Sequence, residues 1–181
     1  MFANTILILY NSTKKNQMRI LILGGHGFIG CHTSDILKQQ GHTIGVVDCY
    51  HQYYTFPDKE YFPILQIRKD HANSDQTFVG KIEDESFMAT VFQEFKPTVV
   101  IHLATYPNAK MVARNVTDAT NNMVTATAII LNLCVKSNVK RFVFASSSMA
   151  YGEFNGKIPN ETVACNPNTL YGSYKHQGER M

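Results

Sequence analysis

The chain has little of what marks several broad classes of protein. Only six prolines among 181 residues, with 17% charged and 44% hydrophobic residues, is not the composition of a disordered chain. Basic side chains form no block or stripe and the formal charge is a modest +3, so no nucleic-acid partner is expected. No apolar run is long enough to cross a bilayer, which excludes a membrane partner at this level. The opening stretch "MFANTILILYNSTKK" has no basic residue ahead of its short apolar run and no small-residue cleavage site behind it, which makes a poor signal peptide. The four cysteines, Cys31, Cys49, Cys134 and Cys165, contain no CxxC pair, which argues against a zinc knuckle and a redox motif. They read as reduced thiols of a cytoplasmic protein. His51, His71, His102 and His176 show no metal-ligand spacing among themselves, so they read as structural or solvated and no metal is expected.

What is present is the alternation of an α/β fold within one domain. Met18 stands directly before the first convincing strand, "RILIL", so residues 1–17 read as an extension or a misassigned start and residues 18–181 as the domain. A helix over residues 28–40 closed by Gly41 is followed by "TIGVVD", a βαβ unit that requires a parallel sheet. "DQTFVG" is the third strand. Phe87, Met88, Val91, Phe92 and Phe95 share one face of the next helix, which Pro97 stops. "TVVIHLA" is the fourth strand, Asp118 is placed to cap a long helix through Val124, Thr127, Leu131 and Cys134, and "RFVFASS" is the fifth. Residues 168–181 read as a last helix. The segments 50–61, 105–117 and 150–167 read as irregular, and each follows the carboxyl end of a strand, the edge where open α/β sheets bind ligands.

In "ILILGGHGFIGCH" the glycines Gly24, Gly27 and Gly30 fall between a strand and a helix. That spacing allows a tight turn, close backbone approach to a pyrophosphate and close packing of helix on strand, and the helix terminus adds free N–H groups. Ordinary turns also use glycine, so the pattern alone is weak. Asp48, ending the next strand in "GVVDCY", lies near the offset of about 20 residues at which an acid accepts hydrogen bonds from an adenosine ribose. The pair points to a dinucleotide. Asp48 repels a 2′-phosphate, which favours NAD over NADP.

Two further motifs carry chemistry. In "YGSYK", Tyr171 and Lys175 are one helical turn apart and project from one face. A nearby ammonium and a positive nicotinamide ring favour the phenolate, which makes Tyr171 the base and Lys175 its tuner. In "FASSSMAYG" the run Ser146, Ser147 and Ser148 offers hydroxyls to a substrate or to its own turn.

With "GGHGFIG", Asp48, "VIHLA", "KRFVFASSSMAYG" and "YGSYK" in this order, residues 18–181 resemble the extended short-chain dehydrogenase/reductases, and within them the NAD-dependent, UDP-glucose 4-epimerase-like epimerase/dehydratase group. The resemblance implies a Rossmann-like, doubly wound parallel sheet of order 3-2-1-4-5. It selects Ser147, four residues before Tyr151, as the third catalytic residue with Tyr171 and Lys175, and leaves Ser146 as a hydroxyl that caps the turn. It implies NAD held by Gly24, Gly27, Phe28, Ile29, Gly30, Asp48, Ile82, Leu103, Ala104 and Lys175. It also implies a nucleotide-sugar substrate, UDP-linked, and leaves a homodimer as an open expectation.

The departures are informative. Ser148 and Met149 stand where 4,6-dehydratases carry an acid, which argues against dehydration. Lys81 in "GKIED" replaces an aspartate that meets the adenine amine, leaving Ile82 and its backbone for that contact. The asparagine expected at the head of the helix after "HLA" matches Asn121 or Asn122, whereas counting back from "KRF" reaches Met123. The aromatic stretch "YHQYYTF" either lines a ligand, as in a tyrosine-containing segment of UDP-glucuronate epimerases, or packs over the sheet edge. The substrate-gripping region that follows the YxxxK helix in this group has no counterpart, so the chain reads as the cofactor half of such an enzyme. Three functions remain open: a sugar-nucleotide epimerase, an NAD-dependent reductase or dehydrogenase using the same residues, and a non-catalytic dinucleotide-binding module.

Overall fold

A computed structural model describes residues 17–54, 57–154, 156 and 160–181. The extension expected over residues 1–17 lies outside them apart from Gln17, as do Thr55 and Phe56 of the aromatic stretch. Five parallel strands, β1 (Arg19–Leu23), β2 (Thr43–Asp48), β3 (Gln76–Val79), β4 (Val99–His102) and β5 (Arg141–Phe144), form one sheet in the order β3-β2-β1-β4-β5. The helices are α1 (Phe28–Gln39), α2 (Asp58–Ala72), α3 (Glu85–Phe95), α4 (Ala109–Arg114), α5 (Val116–Thr120), α6 (Ala126–Lys136) and α7 (Leu170–Arg180).

Strand periodicity sorts the core into two layers. Leu21, Leu23 and Val47 point to the face covered by Met88, Val91, Phe92 and Phe95 of α3 and by Ile130 and Leu133 of α6. Ile20, Ile22, Ile44 and Val46 point to the other face, where Leu37 of α1 packs. Each of these aliphatic side chains, once fully buried, contributes about 1.5–3 kcal/mol. Because β1 lies between β2 and β4, the chain leaves it in opposite directions on its two sides, and a crevice opens beyond the carboxyl ends of β1 and β4.

Three local expectations are corrected. The segment 50–61 is not irregular throughout, because α2 begins at Asp58. Its pattern hides it: Pro63 lies inside the helix, Phe62, Ile64 and Ile67 are exposed, and Leu65 and Ala72 are the residues it buries. The segment 105–117 contains α4 and the start of α5. Asp118 does not cap a helix; Asn115 does, accepting from the Asp118 N–H at 3.2 Å, while the Asp118 carboxylate accepts the Tyr106 hydroxyl.

Candidate functional site

The glycine turn is shaped by contacts that leave no room for a side chain. Gly24 has φ +79°, and a Cβ there would lie 2.8 Å from the Ala104 nitrogen. This close approach joins the turn after β1 to the chain leaving β4. A Cβ on Gly30 would lie 2.3 Å from the Gly24 carbonyl oxygen, so α1 can seat on the turn only without one. Gly27 is the residue before α1; no side chain caps the helix, and its first turn holds no acid. The amino-terminal N–H groups and the positive end of the helix dipole are therefore available to an anion.

Asp48 is fixed by backbone rather than by a cation. One carboxylate oxygen accepts the His26 N–H at 3.0 Å and the other the Tyr50 N–H at 2.9 Å, which binds the end of β2 to the glycine turn. Each oxygen retains a further lone pair for a ligand hydroxyl. The His26 ring stacks on Tyr50 with centroids 5.8 Å apart, and burial lowers its pKa against the opposing pull of Asp48.

Beside these groups lies a cleft of about 320 Å³. Gly24, Gly27, Asp48, Ile82, Leu103 and Ala104 are among the residues that line it. Phe28, Ile29 and Gly30 lie outside it: Phe28 and Ile29 are exposed on the first turn of α1, and Gly30 faces the turn. Tyr50 and Tyr53 of the aromatic stretch line the cleft, and Tyr53 packs edge-on against Tyr106 at 4.7 Å. Tyr61, Leu65 and Arg68 add a wall from α2, which the sequence did not reveal. Lys81 points away from this role and pairs with Glu83 at 3.9 Å.

The asparagine register resolves onto Asn122. It is buried, lines the cleft and leaves its Oδ1 without a hydrogen-bond partner among the described residues, whereas Asn121 is exposed. A π-helical turn over Asn121–Thr125 connects α5 to α6.

The second group of residues gathers at the ends of β4 and β5. Thr169 caps α7 by accepting the Gly172 N–H at 3.1 Å, and Tyr171 and Lys175 rise from the same face of that helix. Lys175 is 3% exposed; its Nζ donates to the Ala145 carbonyl at 2.7 Å and lies 5.0 Å from the Phe144 ring centre and 5.9 Å from that of Tyr171. Burial pushes its pKa down to about 8, so it stays largely protonated at neutral pH. The Tyr171 pKa is raised by burial and drawn back by a hydrogen bond with Ser147. In the protein by itself Tyr171 is thus a phenol, and its activation needs a further positive charge. His102, at the end of β4, is held neutral: burial, with Lys175 adding to it, lowers its pKa to about 3.

The serine run is divided differently from the expectation. Ser147, not Ser146, binds the turn: its Oγ accepts the Met149 N–H at 3.2 Å at the head of a 3-10 turn over Ser148–Ala150. Ser146 instead donates to Glu179 of α7. A hydroxyl can accept from the turn and still engage Tyr171, so Ser147 combines the two tasks.

Glycine turn, acid-ended second strand and cleft at the reversal of strand order define a doubly wound α/β ligand-binding domain. Residues 20–181 match the model of the NAD dependent epimerase/dehydratase family, and the chain belongs to that family. It is 31% identical over 171 residues to the UDP-glucose 4-epimerase of Halalkalibacterium halodurans, covering 91% of this chain and 45% of that protein. Among solved structures it is similar to the UDP-glucose 4-epimerase of Brucella ovis in complex with NAD, with a TM-score of 0.74 and 26% identity over 90% of this chain and 46% of the other. The enzyme of the same name from Thermotoga maritima, solved with UDP-glucose, aligns with a TM-score of 0.73 and 29% identity, covering 89% and 48%. The chain thus spans about half the length of the relatives it matches. No helix among the described residues is long and apolar enough to cross a membrane.

Proposed function

We propose that this chain is the cofactor-binding portion of an NAD-dependent epimerase acting on a UDP-linked hexose. The observation that carries the reading is the meeting of Ser147, Tyr171 and Lys175 at the ends of β4 and β5, one strand away from the glycine turn. The close-packed glycine turn, the fixed Asp48 carboxylate and the unpartnered Asn122 carbonyl are features that fit a dinucleotide. NAD, when bound there, would supply reversible hydride transfer with the sugar carbon that carries the reacting hydroxyl.

The chain's own residues would do the rest. Gly24, Gly27 and the first turn of α1, with Phe28, Ile29 and Gly30, hold the pyrophosphate. Asp48 accepts from the adenosine ribose, Ile82 borders the adenine, and Leu103 and Ala104 wall the crevice beside the dinucleotide. Tyr171 removes the proton from the sugar hydroxyl that becomes a ketone, and gives it back when the hydride returns. Ser147 orients that hydroxyl. Lys175 stabilises the phenolate and binds the nicotinamide ribose. The four free cysteines are in keeping with a cytoplasmic location. A homodimer is the assembly proposed with this reading, and sedimentation velocity measures it.

The test is interconversion of UDP-glucose and UDP-galactose by a chimera joining this chain to the carboxyl-terminal half of the H. halodurans relative. Conversion without net NADH is the expected result. Stoichiometric NADH release would replace epimerisation with dehydrogenation. NAD binding without either reaction would favour the binding-module reading.

A further inference from the structure

Away from the cleft, Cys165, on the segment leading to α7, meets His176 and Glu179 of that helix. One ligand atom from each, a sulfur, an imidazole nitrogen and a carboxylate oxygen, lies within 4.8 Å of the others. We propose that these three residues bind a zinc-type divalent cation, with a fourth position open to water.

The arrangement has several features of a built site. His176 and Glu179 are three residues apart on one helix face, so they are presented together without any loop rearrangement. The His176 Nδ1 is enclosed and makes no hydrogen bond among the described residues, although the Glu179 Oε2 lies only 3.5 Å from it. With its proton on Nε2, the ring presents a lone pair at Nδ1 that a metal can take. Glu179 is itself oriented from behind, since its other oxygen accepts the Ser146 hydroxyl. Such an outer partner fixes a ligand's direction. The segment carrying Cys165 is tied down next door, where the Asn166 N–H donates to the Tyr151 carbonyl at 3.3 Å. Glu179 is solvent-exposed, which gives an ion its entry path.

The donor set selects the ion. Thiolate and imidazole suit zinc or cobalt and discriminate against magnesium and calcium, which take oxygen ligands. Bond lengths of about 2.0–2.3 Å to a tetrahedral zinc require ligand atoms about 3.3–3.8 Å apart, so the three must close by about 1 Å, within reach of side-chain rotation. Binding transfers the Cys165 proton to solvent, and affinity should therefore rise with pH. Chain spacing conceals the site because Cys165 and His176 match no ligand motif.

The experiment is cobalt titration of the chelator-treated chain. Tetrahedral visible bands and a near-ultraviolet sulfur-to-cobalt band should appear, and Zn2+ but not Mg2+ should bleach them. Cys165→Ser should remove the sulfur band, and Cys49→Ser, which takes away the thiol beside His51, should retain it. Ser146→Ala should weaken Zn2+ binding by about tenfold by releasing Glu179. Circular dichroism checks that each variant is folded; should Cys165→Ser fail, His176→Gln must weaken cobalt binding instead. Absence of the bands in the parent, or a sulfur band that survives in folded Cys165→Ser, would overturn the proposal.

Discussion

The two sides of the crevice are built on different terms. On the β1–α1–β2 side the ligand-facing surface is largely backbone: glycines with no room for a Cβ, helix N–H groups, and a carboxylate locked by two backbone donors. The strands beneath it are almost wholly buried. On the β4–β5–α7 side the surface is made of side chains, and β5 is an edge strand with Val143 43% exposed. Gripping a ligand by backbone couples binding to the fold itself, whereas side-chain chemistry on a peripheral helix can be altered with the fold intact. The contrast makes substitutions on the two sides separable by experiment.

The largest effect is expected from Tyr171→Phe. In the chimera it should lower epimerisation by about 10²- to 10⁴-fold, the range for loss of a general base, while NAD affinity and the urea midpoint stay near those of the parent. Ser147→Ala should fall short of that loss, since one orienting hydrogen bond is removed. Parent-like turnover in Tyr171→Phe would take the base role away from it. Gly30→Val is the counterpart on the other side. Its side chain cannot avoid the Gly24 carbonyl, so stability should fall by about 1–3 kcal/mol and NAD binding should be lost with it. A variant that is destabilised yet binds NAD normally in calorimetry would break the coupling claimed for that side.

A smaller effect concerns Lys175 and pH. Its folded pKa of about 8 lies below its ordinary value of 10.5, so between these values the unfolded chain binds more protons and stability rises with pH. Below pH 8 the lysine is charged in both states and the cost of burying that charge is felt in full. That cost is about 3–3.5 kcal/mol. The stability advantage of Lys175→Met over the parent should therefore shrink as pH goes from 8 to 10, measured by urea unfolding. Parallel profiles for the two proteins would show that burial does not shift this lysine. Next in size, Asp48→Ala should narrow the preference for NAD over NADP and cost about 1–3 kcal/mol of stability, because the His26 and Tyr50 N–H groups lose their acceptor. Asp48→Asn, which keeps one acceptor, should recover part of the stability and little of the preference.

Much of this was legible in the sequence wherever one residue type answers one local demand. The five strands show as short β-branched runs, Gly24 and Gly30 as positions without space, Asp48 as an acid ending a strand, and Tyr171 with Lys175 as one helical face. Features made by contact between distant segments did not show. The α2 helix presents its apolar residues to solvent, so periodicity gave no sign of it or of the wall that Tyr61, Leu65 and Arg68 build. Which of the two adjacent asparagines faces the cleft depends on the helix phase there, and burial singles out Asn122. The turn-capping role expected of Ser146 falls to Ser147, and the actual partner of Ser146 did not show, because only the return of α7 brings Glu179 beside it.

The smallest effect expected anywhere in the molecule comes from the amino terminus. Strand β1 has β2 on one side and β4 on the other, so neither flank of the strand that the amino terminus enters is open. Sheet edges remain at β3 and β5, far in strand order from the point where the chain enters β1. What lies directly ahead of β1 is modest: Gln17 donates to the Thr43 hydroxyl at 3.2 Å, and Met18 engages His42 through its N–H and Thr43 through its carbonyl. Residues 18–181 are accordingly proposed as the domain, and removing residues 1–17 should lower the unfolding free energy measured in urea by no more than about one hydrogen bond, about 0.5–1.5 kcal/mol. NAD affinity should not change, because among the described residues none that lines the cleft precedes Gly24. A fall of several kcal/mol on deletion would place "TILILY" in the core, and the edge of β3 or β5 would then be where it adds a sixth strand.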